Sequence, residues 1–264
     1  MPPVQIYKVD FSNGNLVPSI DTRNWGAMQL ANSGTAYNPE SYNDSKGLTL
    51  SVYRAPGSSS EASHSAYVLS GALPVATRLL LRAEFDRPWV QPAYVPLSPM
   101  NNQTQGSNTN QAGSPWAIAI GPRFGGVNDA STDKRVPVTC QFNTTLNGVR
   151  LNTPGHLQGD QSTVLATPLD YSNYWPANAT TLFTLEHAFC GVKSAAAPAG
   201  LGYSVGSGAL KIGNRSDQRV YSNAGMSAAG APTSIDTLGI TLVTQQGVGQ
   251  IMIRLRSFSV SVWQ

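Results

Sequence analysis

The stretch Thr77-Arg78-Leu79-Leu80-Leu81-Arg82-Ala83-Glu84-Phe85-Asp86 decides the fold class. From Leu81 onward Leu81, Ala83 and Phe85 alternate with Arg82, Glu84 and Asp86. Successive side chains of an extended chain point to opposite faces, so a period of two describes a strand with one face on a core and the other in water. A helix would space its apolar residues three and four apart.

The rhythm recurs in both directions. Upstream, Ile6-Tyr7-Lys8-Val9-Asp10-Phe11 reads as a first strand closed by the turn signal Ser12-Asn13-Gly14-Asn15. Gly47 to Tyr53 places Leu48, Leu50 and Val52 on one face, and Ala66 to Ser70 follows. Downstream, strands are expected over 116–120, 136–142, 148–151, 181–189, 202–205 and 210–213, with a closing pair over 235–244 and 249–263. Gly206-Ser207-Gly208 reads as a hairpin turn and 224–233 as coil. No repeat of fixed period is visible, which argues against a propeller or solenoid. The expectation is an all-β, two-sheet antiparallel jelly-roll sandwich.

A chain of 264 residues fits one large β domain, so 1–264 is read as a single unit. The polar run at 99–115 is a loop insertion, too poor in apolar residues to bury a core face of its own. Charged residues make up 12% of the chain, about half the roughly 25% of an ordinary soluble domain. Long solvated helices, which need charge along their outer faces, are therefore disfavoured. Seventeen basic and fourteen acidic residues leave only +3, with no basic run, which argues against nucleic acid as a partner. No window approaches the ~20 apolar residues that span a bilayer, so no membrane insertion is expected. The start, Met1-Pro2-Pro3-Val4-Gln5-Ile6, lacks the basic and apolar regions of a signal peptide. The composition nonetheless suits an extracellular protein or one on a virion surface.

Cys140 and Cys190 are the only cysteines, and both fall in strand-like segments. They can form a cross-strand disulfide or stand as two buried thiols acting as small hydrophobes. His64, His156 and His187 are scattered, without metal-ligand spacing, and read as surface or satisfied interior residues. Three tripeptides, beginning at Asn143, Asn178 and Asn214, match the glycosylation acceptor pattern, which chance also produces in a chain rich in Asn, Ser and Thr.

The two ends carry a more specific pattern. Val9-Asp10-Phe11-Ser12 with Trp25 downstream, then Gly47-Leu48-Thr49-Leu50, resembles the opening of concanavalin A-like lectin/glucanase domains. Ile240-Thr241-Leu242 and Ile253-Arg254-Leu255-Arg256-Ser257-Phe258-Ser259-Val260 are similar to the closing strands of that superfamily. The resemblance implies a twisted sandwich whose last strand returns beside its first. It leaves activity open, because this fold carries lectins, binding modules, glycoside hydrolases and virion proteins.

Hydrolysis of a glycosidic bond needs two flanking carboxyl groups. Glu84 and Asp86 share a strand face and resemble the first half of the Glu-x-Asp-x-x-Glu signature of retaining glucanases in the superfamily. Pro88 and Trp89 stand where the second glutamate should fall. The pair is therefore a weak catalytic candidate, and its other reading is an outward polar pair beside Arg82 and Arg87. No Gly-x-Ser-x-Gly elbow supports a serine nucleophile. The resemblance also implies a structural calcium. Asp10 with Asn13 and Asn15 is a thin ligand set, and the last strand offers Arg254, Arg256 and Ser257 in place of a carboxylate, so neither a metal nor another cofactor is expected.

Sugar sites stack an aromatic ring on a pyranose and bond its rim with amides. Trp175 and Tyr174 with Asn173, then Trp89 and Tyr94 with Gln91, are the candidates, read as Pro-flanked loop residues. Their other reading is as caps on the ends of the core. Trp25, Trp116 and Trp263 are assigned to core or strand roles. The expected function is non-catalytic, lectin-like glycan recognition at a cell or particle exterior. The alternatives are a virion or surface-layer structural protein acting through self-association, and a glycoside hydrolase using Glu84 and Asp86.

Overall fold

The computed structural model describes residues 1–34, 41–44, 46–54, 62–74, 77–86, 88–92, 116–123, 138–143, 148–152, 164–166, 182–193, 202–226, 234–244 and 249–264. In chain order the strands are β1 (Val4–Asp10), β2 (Ile20–Asp21), β3 (Gln29–Gly34), β4 (Ser41–Asp44), β5 (Gly47–Arg54) and β6 (Ala62–Pro74). Then come β7 (Leu79–Asp86), β8 (Trp89–Pro92), β9 (Trp116–Arg123), β10 (Val138–Asn143), β11 (Gly148–Asn152) and β12 (Val164–Ala166). The last are β13 (Leu182–Lys193), β14 (Gly202–Ile212), β15 (Arg215–Met226), β16 (Ser234–Thr244) and β17 (Gly249–Val262). One 3-10 turn, Phe11–Asn13, follows β1.

All described pairings are antiparallel and form two sheets. A ten-stranded sheet runs β15-β14-β13-β7-β17-β1-β2, with β5 and β8 also on β17 and β4 on β5; a seven-stranded sheet runs β12-β11-β10-β9-β16-β6-β3. The expected sandwich is thus present, and the chain's two ends pair directly, Val4 with Val262 and Asp10 with Ser257. The core lies between the sheets. Leu79, Leu81, Ala83 and Phe85 of β7 meet Phe183 and Leu185 of β13 and Val260 of β17 on one inner face, and Ile118, Ile120, Ile240 and Leu242 line the other. Phe85 and Phe183 are opposite each other across the ladder, ring centroids 5.4 Å apart. A tilted aromatic pair of this kind adds roughly 0.5–1.5 kcal/mol beyond its burial.

Several expectations are corrected. Gly206-Ser207-Gly208 is no turn but the interior of β14; the hairpin lies at Gly213-Asn214, between the paired Ile212 and Arg215. Gly206 serves a close approach: a Cβ there would strike the Ala188 carbonyl and come within 2.7 Å of the Tyr221 hydroxyl. Residues 224–226, read as coil, continue β15. The first half of β15 escaped detection because it is an edge strand: Arg215, Ser216, Gln218 and Val220 are exposed and leave no apolar alternation to read. Trp89 to Pro92, read as loop, forms β8. The insertion at 99–115 lies outside the described residues.

Candidate functional site

Glu84 and Asp86 stand on the outer face of the ten-stranded sheet, and β17 organises that face. Along one edge β17 pairs β5 over Gly249 to Leu255 and then β1 over Ser257 to Val262. Along the other it pairs β8 over Gly249 to Met252 and then β7 over Leu255 to Val262. Both flanking lines thus change strand near one point, and there the β7 register shifts between Leu255 and Ser257, leaving Arg256 as the extra residue of a bulge. Pro88 sits in the gap between β7 and β8, where it has no N–H to give to a ladder. On the opposite edge Gly47, φ 135°, begins β5 so close to the Leu255 carbonyl that no other residue fits.

The bulge puts two successive polar residues, Arg256 and Ser257, between the inward Leu255 and Phe258. Arg256 Nε donates to Asp86 Oδ1 at 2.9 Å, and its Nη2 lies 2.9 Å from Oδ2. Arg254 Nη1 approaches the same Oδ2 at 3.6 Å. Arg82 Nη2 donates to Glu84 Oε1 at 2.6 Å, Ser257 Oγ donates to Glu84 Oε2 at 3.0 Å, and Arg82 Nη1 stands 3.7 Å from Glu186 Oε1. Three guanidinium groups therefore face three carboxylates. Arg256 thus gives Asp86 one charge-assisted hydrogen bond through Nε and a second, purely ionic contact through Nη2.

This corrects the expectation for Asp86. It points away from the core, yet only 3% of its surface is exposed, because the arginines of β17 cover it. A hydrolase needs one carboxyl free to give a proton and another facing the substrate across open space. Here Glu84 and Asp86 are held by guanidinium and hydroxyl donors. The arrangement suits a sheet-stapling network better than acid/base chemistry. The signal for it was present in the sequence: Arg256-Ser257 interrupts the alternation of Ile253, Leu255, Phe258 and Val260.

Of the proposed ligand residues, the register places Trp89 opposite Met252 and Gln91 opposite Gln250, on the strand line that continues β7 past Asp86. Tyr94, Asn173, Tyr174 and Trp175 lie outside the described residues, as do the side chains of Trp89, Gln91 and Trp116. Trp25 has an edge-of-core role: it packs against Tyr7 at 5.5 Å, and its Nε1 donates to the Ser70 carbonyl of the other sheet at 3.0 Å. Asp21 shapes that loop by accepting from the backbone N–H groups of Arg23, Trp25 and Gly26. Trp263 lies under the Arg78 guanidinium, 5.1 Å from its ring centre.

Asp10 and Asn15 each close a local turn. Asp10 Oδ1 accepts from the Ser12 N–H at 3.0 Å and its hydroxyl at 2.6 Å, which holds the Asp10 carboxyl below the usual range, and Asn15 Oδ1 accepts from the Val17 N–H. Among the described residues no cluster of three or more His, Cys, Asp or Glu could hold a metal ion. Cys140 and Cys190 are not disulfide-bonded. Cys140 faces the core from β10, whereas Cys190 is on the outer parity of β13 in the opposite sheet, so the possible bridge is not formed. Burial raises both thiols above their ordinary range, with Arg78 opposing the rise at Cys190. His64 and His187 are interior, and His156 lies outside the described residues.

No protein-family model matches the chain, and no curated protein matches it. Among solved structures, a protein of unknown function from Shewanella oneidensis MR-1 is similar at 14% identity and a TM-score of 0.41, over 97% of this chain and 86% of that one. Lectin II from Ulex europaeus is similar at 8% identity and a TM-score of 0.39, over 98% of this chain and all (100%) of that one. Arcelin-5, a lectin-like defence protein from Phaseolus vulgaris, is similar at 12% identity and a TM-score of 0.37, over 97% of each chain. Likeness of this degree carries no site, ligand or activity across.

Proposed function

We propose that this chain is a non-catalytic, lectin-like β-sandwich that recognises glycan at a cell or particle exterior. The observation that supports it is the engagement of Glu84 and Asp86 by Arg82, Ser257, Arg254 and Arg256: the carboxylate pair that resembles half of a glucanase signature is tied into the sheet. Recognition in this reading falls to aromatic rings with amide neighbours, first Trp175, Tyr174 and Asn173, then Trp89, Tyr94 and Gln91.

A glycan array probed with the purified chain tests it, followed by titration of the best glycan against Trp175→Ala and Trp89→Ala. Saturable binding that at least one variant weakens about tenfold or more, as truncation of an aromatic anchor at the centre of a binding site does, is the expected result. A glucan panel run in parallel reads turnover. Hydrolysis by the parent chain that is lost in Glu84→Gln would replace this reading with the hydrolase, and concentration-dependent self-association without glycan binding would replace it with the structural one.

A further inference from the structure

Two histidines tie the sheets together in opposite directions. His187 projects from β13 of the ten-stranded sheet, is wholly buried, and places Nδ1 3.1 Å from the Ile120 carbonyl of β9 in the other sheet. His64 projects from β6 of the seven-stranded sheet, is 2% exposed, and places Nδ1 3.3 Å from the Ser51 carbonyl of β5. A carbonyl only accepts, so in both rings Nδ1 carries the hydrogen. Nε2 of His187 lies 2.7 Å from the Tyr221 hydroxyl, which donates to it while the ring is neutral.

Among the described residues, the cross-strand neighbours of His187 carry no charge. It is opposite Leu81 on β7 and Gly208 on β14, with Phe189 beside it on its own strand. Among the described residues, the titratable or charged groups on the inner faces packed around it are Tyr221 on β15, Cys140 on β10, and Asp217 and Arg219 on β15, which pair with each other at 3.6 Å. His64 is opposite Leu242 on β16 and Asn32 on β3, and the inner residues of β5 across from it, Leu50 and Val52, are aliphatic.

We propose that His187 and His64 form an acid-sensitive latch: proton uptake at either ring turns a neutral bridge between the sheets into a buried cation and releases one sheet from the other. A second proton on His187 turns Nε2 into a donor aimed at a hydroxyl that was itself donating, so Tyr221 must turn or withdraw. Burial lowers the proton affinity of both rings in the folded chain, that of His187 to a pKa of about 3, with the carbonyl bond opposing weakly. A folded value below the unfolded one means that the unfolded chain binds more protons. The latch therefore holds fully above about pH 6.5 and weakens as pH falls toward the folded value.

Urea unfolding at pH 7.5, 6.5, 5.5 and 4.5 tests the latch on the wild type, His187→Gln, His64→Gln and the double variant. Glutamine keeps a neutral donor and acceptor. The wild type should lose about tenfold in its folding equilibrium constant per pH unit for each titrating histidine below about pH 6. His187→Gln should lose about one proton of that slope and His64→Gln a smaller share in the same direction, and the double variant should be flat to pH 5. Full slope retained in the double variant, or less than half a proton of slope in the wild type, overturns the proposal. Should His187→Gln fail to fold, imidazole nitrogen NMR of the wild type at pH 5.5 decides: at least two neutral rings uphold the latch, and two or more protonated rings in folded protein overturn it.

Discussion

Asp86 and Arg256, 170 residues apart in the chain, meet in a two-point contact in which both carboxylate oxygens lie 2.9 Å from a guanidinium nitrogen. The bulge that frees Arg256 from strict alternation makes the contact possible, and the contact in turn ties β7 to β17 where the sheet changes strands on both edges. A carboxylate used in this way is a structural part.

Removing it should show as a stability loss. Asp86→Ala takes from Arg256 the carboxylate it donates to, and we expect a loss of about 1–3 kcal/mol, read as a lower urea midpoint at unchanged slope. Glu84→Gln, at a side chain 27% exposed, should cost less than about 1 kcal/mol. Equal costs for the two would mean that Arg256 does not depend on Asp86.

Gly206→Ala should be among the most damaging small substitutions in the chain, because its methyl group meets backbone on one side and the Tyr221 ring on the other. A loss above about 3 kcal/mol or insoluble protein is expected. Gly213→Ala is the control: a methyl there meets nothing within 4 Å, and its φ of 57° costs only about 1 kcal/mol. Similar melting temperatures for the two variants would contradict the close packing of β14 on β15.

Tyr221→Phe deletes the hydroxyl that donates to His187 and leaves Nε2 buried without that donor. A cost of about 1–3 kcal/mol is expected at pH 7. Because the neutral ring then loses a partner that favoured it, the variant should also show a smaller drop in stability between pH 7 and 5 than the wild type. A variant as stable as wild type would place the hydroxyl's bond elsewhere.

The two thiols should separate by reactivity. Cys190, partly exposed on the outer side of β13, should react slowly with an aromatic disulfide reagent at pH 8, whereas Cys140, held fully in the core, should react only as fast as the chain unfolds. Mass spectrometry of the denatured, unreduced chain after alkylation should show both labelled; a chain that stays unlabelled carries the bridge that the two sheets keep apart.

Much of the fold was legible locally. Leu81, Ala83 and Phe85 declared their face, as did Leu48, Leu50 and Val52, because burial of one strand face leaves a period of two wherever the strand has a wet side. β15 was missed for the matching reason: half of it is an edge strip with almost no buried face. At the candidate site Glu84 and Asp86 read in the sequence as a carboxylate pair, and Arg254, Arg256 and Ser257 as a last strand without a calcium ligand. Nothing in either segment says that they touch.

The sequence by itself determined the class of fold: strands, and the inward face of most of them, in a chain poor in the charge that long solvated helices need. Tertiary structure alone decided which strand lies beside which, and with that the fate of each polar residue on them. Asp86 became a buried anchor, Gly206 a contact point and His187 a bridge through partners 170, 15 and 67 residues away. Alternation is a property of neighbours along the chain, whereas pairing is settled by the packing of two whole sheets.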